Sequence, residues 1–413
     1  MALIIDNIKG LIQVGEERSG YVSGKRMSDL TIITDAWIFI KDGLIDSYGN
    51  MDSRPEISGA EVIDASDKFV FPSFCDSHTH LVYAGSREME YIDKIKGLSY
   101  EEIAKRGGGI LNSARLLQKS SEEDLFNQSI DRIREIISLG TGAVEIKSGY
   151  GLTTEAELKM LRVIRRIRES VPMVVKSTFL GAHSIPAEYR NRRSAYIDLV
   201  INEMIPAVAA EDLADYIDVF CDKGFFTVTE TEKILMAGLK YGMIPKIHAN
   251  ELDYSGGIQT GVKYDALSVD HLEFTGENEI SALRNSGTMA TLLPGAAFFL
   301  GMIDPPARMM IDSGLPVALA SDYNPGSSPS GNMKLVMSLA SIKLRMLPEE
   351  VVNAVTLNGA YAMGISDTHG SITKGKIGNV FITSKIPSYQ FFAYSYGSDL
   401  VDTVILNGNV VDK

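Results

Sequence analysis

The middle of the chain alternates between short segments rich in β-branched residues and longer segments with helical apolar spacing, and this alternation limits the fold more than any other feature. Eight short segments have the composition of buried strands: 69–78, 143–146, 173–179, 217–220, 244–247, 267–270, 288–292 and 317–320. Between or after them lie helical patterns, at 121–137, 155–169, 230–240 and 333–344. Such alternation favours an α/β fold with a (β/α)8 TIM-type barrel, although a doubly wound open sheet is the alternative.

The two ends of the chain carry a different pattern, which is typical of antiparallel sheets. Residues 30–40 are β-branched and aromatic, and an Asp-Gly pair at 42–43 favours a tight hairpin turn after them. Near the other end, residues 375–383 and 401–411 have the composition of strands, and the second segment contains an Asn-Gly pair that also favours a turn. Both ends are therefore rich in β structure and differ from the alternating middle.

The length of 413 residues accommodates one large domain and one small one, because a (β/α)8 barrel uses about 250 residues as a single unit. The simplest packing of the two β-rich ends places them together. We therefore predict a small composite β domain formed by residues 1–66 and 370–413, with residues 67–369 forming the barrel between them.

Composition narrows the class of protein further. Hydrophobic residues make up 45% of the chain and charged residues 23%, which excludes a disordered chain. The net charge of -13 argues against nucleic acid or an anionic membrane surface as a partner. The 2 cysteines cannot form a disulfide framework and the N-terminus has no visible secretory signal, so we expect a cytoplasmic protein. No apolar run approaches the roughly 20 residues that cross a bilayer.

Histidines collect at the predicted strand ends. His78 and His80 end the first strand segment, where alternate residues face the same side of an extended backbone and both imidazoles can reach one ion. His248 follows the fifth segment and Asp322 follows the eighth. The carboxyl ends of barrel strands converge on one mouth, so these side chains are predicted to be neighbours. Imidazoles with a carboxylate suit zinc or iron with room for a water, and such an ion generates hydroxide near neutral pH.

Other polar residues follow strand segments, and for each of them a purely structural role stays open. His183 follows the third segment and His271 ends the sixth, so each is either a site residue or a buried histidine with ordinary partners. Glu251, just past the fifth segment, is either a site residue or a solvated loop carboxylate. Lys147 and Cys221 also end strands, where a structural lysine and an inert thiol are favoured over ligands of a second metal.

Several motifs together resemble known enzymes. The Asp76-Ser-His-Thr-His80 motif, with later histidines and an aspartate at strand ends, resembles the amidohydrolase superfamily. More specifically, the chain resembles the imidazolonepropionase family in His78-Thr-His-Leu-Val-Tyr-Ala-Gly-Ser-Arg87, Glu145-Ile-Lys-Ser-Gly-Tyr-Gly-Leu152, Phe179-Leu-Gly-Ala-His183 and Ala320-Ser-Asp-Tyr-Asn-Pro-Gly-Ser-Ser-Pro329. The Gly107-Gly-Gly-Ile110 segment is also similar to that family, and the resemblance covers essentially the whole chain.

The resemblance implies a hydrolase of histidine degradation that converts 4-imidazolone-5-propanoate to N-formimidoyl-L-glutamate by cleaving a cyclic amide C–N bond. It implies one Zn2+ or Fe3+ ion per subunit, with metal ligands His78, His80, His248 and Asp322. It implies catalytic roles for His271, Glu251 and Asp322. Positions that contact substrate or product are implied at Arg87, Tyr150, His183, Glu251, Asn324, Gly326 and Ser327. By analogy with similar enzymes it also implies a homodimer.

The implied substrate carries a carboxylate, and residues near the mouth suit such a group. Arg87 lies shortly after His80 and can form a bidentate pair with a carboxylate. The turn at 324–328 can present backbone N–H groups and hydroxyls to a ligand. Tyr150 lies between two glycines, which permit a close approach of the backbone. Each feature also has an ordinary interpretation, as a surface arginine or a packed turn residue.

The implied mechanism is attack of activated water on the ring carbonyl, and the sequence leaves open which of Glu251, His271 and Asp322 is the general base. Two rival interpretations stay open: a metal-dependent deaminase of a purine-like or pyrimidine-like ring, and a non-catalytic barrel. Arg87 and the turn at 324–327 favour a carboxylate-bearing substrate over a deaminase substrate. The complete set of candidate ligands argues against a non-catalytic barrel.

Overall fold

A computed structural model describes residues 2–15, 20–98 and 108–411 of the chain. Residue 107, the first glycine of the segment that resembles the family near residue 110, lies outside the described residues. The described chain forms two 8-stranded sheets, one built from both ends of the chain and the other from its middle. This arrangement confirms the predicted fold class, a barrel with a separate composite β sheet.

The first sheet combines both ends of the chain. Its strands are β1 (Ala2–Ile12), β2 (Ile32–Lys41), β3 (Leu44–Asn50), β4 (Glu61–Asp64), β5 (Phe69–Pro72), β14 (Val380–Thr383), β15 (Val401–Leu406) and β16 (Asn409–Val411). They lie in the order β16-β15-β14-β5-β1-β2-β3, and β4 pairs with β1. Both predicted turns are present: Asp42 and Gly43 join β2 to β3 with φ of 51° and 81°, and Asn407 and Gly408 join β15 to β16 with φ of 51° and 72°.

The second sheet is the barrel. Its strands are β6 (Phe74–Thr79), β7 (Thr141–Lys147), β8 (Val174–Ala182), β9 (Tyr216–Cys221), β10 (Ile244–Ala249), β11 (Ser268–His271), β12 (Met289–Leu292) and β13 (Val317–Leu319). Each strand pairs in parallel with the next in sequence. The segment after β13 returns to β6, because the Asp322 N–H donates to the His78 carbonyl at 2.9 Å and the His80 N–H donates to the Tyr323 carbonyl at 2.9 Å. The barrel therefore closes at the predicted metal ligands.

The helices follow the barrel strands, except for the last one, which lies between β14 and β15 of the small sheet. They are α1 (Glu88–Ile95), α2 (Ile110–Lys119), α3 (Glu122–Ser138), α4 (Thr154–Ser170), α5 (Arg193–Leu199), α6 (Ile205–Ala210), α7 (Val228–Leu239), α8 (Gly257–Lys263), α9 (Glu277–Leu283), α10 (Pro294–Leu300), α11 (Ala307–Asp312), α12 (Met333–Lys343), α13 (Pro348–Val355), α14 (Leu357–Ala362) and α15 (Gln390–Tyr394). Side chains cap several of them; the Ser121 hydroxyl accepts the Asp124 N–H before α3, and Thr227 forms a capping box with Glu230 before α7. Within the described ranges, no helix is long and apolar enough to span a bilayer.

The first predicted strand, 69–78, is wrong as a single element, because it divides at Ser73 between the two sheets. The Ser73 N–H donates to the Asn379 carbonyl of the small sheet at 3.0 Å, whereas the Phe74 N–H donates to the Gly140 carbonyl beside the barrel at 2.9 Å. The apolar composition of residues 69–78 does not indicate that the backbone changes from one sheet to the other at Ser73. The predicted domain limits, with the barrel beginning at residue 67, stay a prediction. β5 pairs with β1 and β14 of the small sheet.

An aromatic cluster joins the two sheets. Phe71 in β5, Phe74 in β6 and Phe381 in β14 are buried, and Phe392 in α15 packs against them. The ring of Phe381 stacks on Phe71 with centroids 5.3 Å apart and lies 4.9 Å from Phe74. Because β6 begins at this junction, the cluster holds the small sheet at the end of the barrel where the strands start.

We expect Phe381→Ala to lower the free energy of unfolding by about 3–5 kcal/mol, because it removes a fully buried ring and leaves a cavity between the sheets. Equilibrium unfolding in urea, followed by circular dichroism, measures the change. Tyr396→Ala, at a ring that is 66% exposed, is the matched control and should change stability by less than about 0.5 kcal/mol. A loss below about 1 kcal/mol for Phe381→Ala would contradict the structural importance of the cluster.

Candidate active site

The predicted histidines and aspartate surround one point at the carboxyl end of the barrel. His78 lies in β6, His80 directly follows β6, His248 lies in β10, His271 ends β11, and Asp322 lies just past β13. All of them are buried, with no more than 3% of each residue exposed. The parallel register of a closed barrel brings the ends of distant strands to one mouth, which is why residues far apart in sequence meet here.

Two of these residues leave their strands through an unusual backbone conformation. His271 has a φ of 86° and Asp322 has a φ of 52°, a region that residues other than glycine adopt rarely. Such a conformation costs about 1–3 kcal/mol and persists only where the surroundings enforce it, most often at functional sites. At Asp322 the enforcing contact is the hydrogen bond from its N–H to the His78 carbonyl.

The candidate ligand atoms are spaced as one metal ion requires. His80 Nε2 lies 3.4 Å from His248 Nε2, and Asp322 Oδ1 lies 3.5 Å from His78 Nε2 and 3.7 Å from His80 Nε2. Donors about 2.0–2.1 Å from a tetrahedral ion lie about 3.3–3.4 Å from each other. Two overlapping sets have their ligand atoms within 4.8 Å of one another: His78, His80 and Asp322, and His78, His248 and His271.

The protonation states of the imidazoles also suit a metal ion. His78 Nε2 is buried and has no hydrogen-bonding partner among the described residues. Burial lowers the pKa of His78 and of His80 well below the usual value. The charge of Lys147 lowers the pKa of His78 further, and His183 does the same for His80. A neutral imidazole whose unprotonated nitrogen is buried and has no hydrogen-bonding partner can bind a metal ion. The residues present therefore fit a bound metal ion.

Two buried carboxylates hold the ligand imidazoles from behind. Asp270 Oδ2 accepts a hydrogen bond from His78 Nδ1 at 2.6 Å, and Asp218 Oδ2 lies 3.0 Å from His248 Nδ1. A carboxylate at the far nitrogen fixes the tautomer and orientation of a ligand imidazole and raises its basicity. The sequence analysis missed both aspartates, although a charged residue inside an otherwise apolar strand segment was the available signal.

Lys147 neutralises these carboxylates. Its Nζ lies 2.8 Å from Asp218 Oδ2, 3.5 Å from Asp270 Oδ2 and 2.6 Å from Glu145 Oε1. Lys246 also pairs with Glu145, and all these groups are buried inside the barrel. Burial alone would lower the pKa of Lys147, but the surrounding carboxylates raise it, so the ammonium stays charged. These contacts agree with the structural role that the sequence favoured for this lysine.

His271 lies between two other carboxylates. Its Nε2 lies 3.7 Å from Glu251 Oε2, and its Nδ1 lies 3.8 Å from Glu273 Oε1. Although burial favours the neutral ring, these carboxylates raise the pKa of His271, and burial raises the pKa of both carboxyl groups. A buried cluster of titratable groups with shifted pKa values is typical of catalytic sites. The sequence analysis assigned no role to Glu273, although it lies close to His271 in the sequence.

A cavity of about 750 Å³ lies at this mouth and suits a small molecule. Nearly all the predicted site residues line it, namely His80, Arg87, Tyr150, His183, His248, Glu251, His271, Asp322, Asn324, Gly326 and Ser327. Its apolar wall includes Phe220, Phe225 and Phe299. Cys221 is buried away from this lining, and burial raises the pKa of its thiol to about 11, which agrees with the inert thiol that the sequence favoured.

Arg87 precedes α1 and lines the cavity, but a glutamate on the same helix already binds it. Its Nε and Nη2 donate to Glu90 Oε2 at 2.8 and 2.6 Å. Glu90 also accepts hydrogen bonds from the Gly109 N–H at 3.0 Å and from Asn112 Nδ2 at 3.2 Å. The Arg87 guanidinium lies against Gly326, where an added Cβ would come within 1.9 Å of Nη1. The bidentate partner of Arg87 in this structure is Glu90, which the sequence analysis did not anticipate.

The side chain of Asn324 organises the predicted turn. Its Oδ1 accepts the N–H groups of Gly326 at 2.7 Å and Ser327 at 2.8 Å, and its Nδ2 donates to the Asp322 carbonyl at 2.7 Å. The Ser327 hydroxyl donates to Asp322 Oδ2 at 3.1 Å. These backbone N–H groups were expected to face a ligand, but they bind Asn324 instead. The turn therefore positions the Asp322 carboxylate.

Tyr150 and His183 pack beside the ligand imidazoles. The ring centroid of His80 lies 5.7 Å from that of Tyr150 and 5.2 Å from that of His183. His183 Nδ1 lies 3.1 Å from the Gly149 carbonyl, and burial, reinforced by His248, lowers the pKa of His183 to about 3. Gly149 has a φ of 108°, and an added Cβ would lie 2.9 Å from His183 Nδ1, so this approach requires glycine.

Comparison with known proteins gives the class to which this fold and site belong. A model of the amidohydrolase family matches residues 69–411, and the chain belongs to that family.

Relatives that match the full chain carry a more specific name. The imidazolonepropionase of Christiangramia forsetii is 54% identical over 411 residues and that of Flavobacterium johnsoniae is 53% identical over 411 residues, each alignment covering 100% of both chains. The imidazolonepropionase of Brevibacillus brevis is 42% identical over 398 residues, which cover 95% of this chain and 94% of the relative. Within the amidohydrolases, the chain belongs to the imidazolonepropionase family.

Solved structures share the fold at low sequence identity. Guanine deaminase of E. coli superimposes with a TM-score of 0.77 at 13% identity, covering 100% of this chain and 99% of that chain. A zinc-bound adenosine deaminase from Xanthomonas campestris superimposes with a TM-score of 0.70 at 15% identity, covering 99% and 92%. These likenesses extend to the fold alone, which is the predicted barrel with its composite sheet.

We expect Asp270→Asn to weaken Zn2+ binding about 10- to 100-fold, because the variant removes the charge that orients His78 from behind. Competition with a chromophoric chelator on the purified, metal-free protein measures the dissociation constant. The matched control is Asp46→Asn, at an exposed aspartate of β3, which should bind Zn2+ like the unaltered protein. Equal affinity in Asp270→Asn and the control would contradict the assigned function of this carboxylate.

Proposed function

We propose that this protein hydrolyses 4-imidazolone-5-propanoate to N-formimidoyl-L-glutamate in histidine degradation. Water adds to the ring carbonyl carbon, the bond from that carbon to the ring nitrogen breaks, the carbonyl becomes a carboxylate, and the nitrogen takes up a proton. The observation that carries the proposal is the 54% identity to an imidazolonepropionase over the whole length of both chains. The cavity supports it, because a carboxylate-bearing ring needs the cationic and polar groups that line its wall.

We propose one metal ion, zinc or iron, with His78, His80, His248 and Asp322 as ligands. When bound, the ion supplies Lewis-acid activation of water and of the ring carbonyl. Both His78 and His248 have a carboxylate at Nδ1 and direct Nε2 to the other ligand atoms. His271 is assigned a different function because its Nε2 lies beside Glu251 and its Nδ1 beside Glu273, neither of which is a proposed ligand. Nitrogen and oxygen ligands suit both metals.

Glu251 is the proposed general base. It lines the cavity beside His271, and burial raises the pKa of its carboxyl group, so it accepts and releases a proton near neutral pH. In this role Glu251 takes a proton from the attacking water and delivers it to the departing ring nitrogen.

His271 and Asp322 complete the proposed catalytic group. The carboxylates of Glu251 and Glu273 keep His271 protonated, and a protonated imidazole stabilises negative charge that develops on the ring carbonyl oxygen. Asp322 is the second carboxyl group placed to pass a proton to the departing nitrogen. The Ser327 hydroxyl holds Asp322 in place for this function.

The remaining cavity residues are proposed to bind and orient the substrate. Arg87 contacts the propanoate carboxylate while it stays paired with Glu90, and Tyr150 and His183 pack on the substrate ring. The other proposed contacts are Asn324, Gly326 and Ser327. The homodimer and the cytoplasmic location stay predictions.

Turnover of two substrate classes separates the proposed reaction from the rival deaminase reaction. We expect metal-quantified protein to bleach the ultraviolet absorbance of 4-imidazolone-5-propanoate and to release no ammonia from guanine, adenine or cytosine. Removal of the metal with a chelator should abolish turnover, and added Zn2+ or iron should restore it. Ammonia release from a nucleobase, without loss of imidazolone absorbance, would contradict the proposed function and favour the deaminase.

We expect Glu251→Gln to lower kcat about 100-fold or more while the metal content is unchanged, because the amide keeps the shape of the side chain but cannot take up a proton. Steady-state kinetics together with metal analysis measure both quantities. Glu188→Gln, at an exposed glutamate outside the site, is the matched control and should keep the kcat of the unaltered protein. A Glu251→Gln variant with unaltered kcat would assign the base to another residue.

A further inference from the structure

Lys94 is a cation in the wall of the active-site cavity that none of the functions proposed above uses. It lies on α1, seven residues after Arg87, and residues at this spacing are on the same face of a helix. Glu90 and Tyr91 share that face and also line the cavity. Among the described residues that line the cavity, Arg87 and Lys94 are the only arginine or lysine side chains.

Among the described residues, the ammonium group of Lys94 has no counter-ion. Its Nζ is inaccessible to solvent and has no hydrogen-bonding partner among the described residues. Its nearest aromatic contact is the ring of Phe299, with the centroid 5.4 Å away. Burial, reinforced by the charge of Arg87, lowers the pKa of Lys94. A buried ammonium with no anionic partner is unfavourable, so its persistence in a cavity points to a ligand that supplies the anion.

The charge of Arg87, by contrast, is already balanced. Glu90 accepts two hydrogen bonds from its guanidinium, and both side chains are largely buried. The Arg87–Glu90 pair therefore contributes little net charge to the cavity. An anionic substrate that enters a protein of net charge -13 needs an uncompensated cation, and Lys94 supplies one.

We propose that Lys94 is a specificity-determining residue that pairs with the side-chain carboxylate of the substrate beside Arg87. This inference rests on the proposed function, from which the carboxylate is taken. The four-carbon stem of lysine is flexible enough to carry the ammonium from the Phe299 ring to a bound carboxylate. Analogues without the negative charge leave a buried ammonium unpaired, so the site discriminates against them.

The test compares an anionic ligand with its neutral counterpart on the metal-loaded, full-length protein. Imidazole-4-propanoate and imidazole-4-propanamide are probe ligands of nearly equal shape that differ by one charge, and isothermal titration calorimetry measures the dissociation constant of each. We expect Lys94→Met, which keeps an apolar stem against Phe299, to raise the dissociation constant of the acid about tenfold or more and to leave that of the amide unchanged. The KM for 4-imidazolone-5-propanoate should rise by a similar factor, with kcat within about threefold of the unaltered protein.

Two further variants control for folding and for net charge. Lys94→Arg should recover most of the affinity for the acid, and Lys96→Met, at an exposed lysine that ends the same helix, should bind both ligands like the unaltered protein. Equal dissociation constants for the acid in Lys94→Met and the unaltered protein, or equal losses of affinity for acid and amide, would overturn the proposal. Absence of imidazolone turnover in the unaltered protein would instead refute the proposed function, because calorimetric binding of the two ligands does not depend on turnover.

Discussion

The site depends on the pairing of two buried aspartates with the far nitrogens of two histidines that are proposed to bind the metal ion. Asp270 holds His78 and Asp218 holds His248, so each ring presents its other nitrogen to the same point. Lys147 lies between the two aspartates and pairs with both inside the barrel. Removing one member of such a buried ionic group costs about 3–5 kcal/mol, because it leaves the others uncompensated. The geometry of the imidazoles is therefore as rigid as the barrel interior.

The composite sheet and the barrel contribute to the geometry of the candidate metal site in different ways. The aromatic cluster around Phe381 holds the composite sheet at the start of the strands, leaving the strand ends for the cavity. At those ends the barrel closes through the backbone of Asp322, and the Asn324 turn fixes the carboxylate of the same residue. The helix α1 then brings Arg87 and Lys94 to the rim, where a carboxylate-bearing substrate enters.

The sequence predicted the fold class and the convergence of His78 and His248, because strand alternation and strand-end position obey rules that are local in sequence. It did not reveal Asp270 or Glu90, since both matter only through a neighbour reached by folding or by a particular rotamer. It also joined 69–78 into one strand, because apolar composition does not record which sheet supplies the hydrogen bonds. Motif and periodicity thus predicted the candidate metal ligands. The side chains that orient these ligands could be found only from contacts in the folded structure.

The central claim is that His78, His80, His248 and Asp322 bind a single metal ion. X-ray diffraction from crystals of the zinc-loaded protein, recorded on both sides of the zinc absorption edge, tests it directly. The account predicts one anomalous peak with these four side chains about 2.0–2.3 Å away. A peak elsewhere on the molecule, or one that lacks His248 or Asp322 as a ligand, would contradict it.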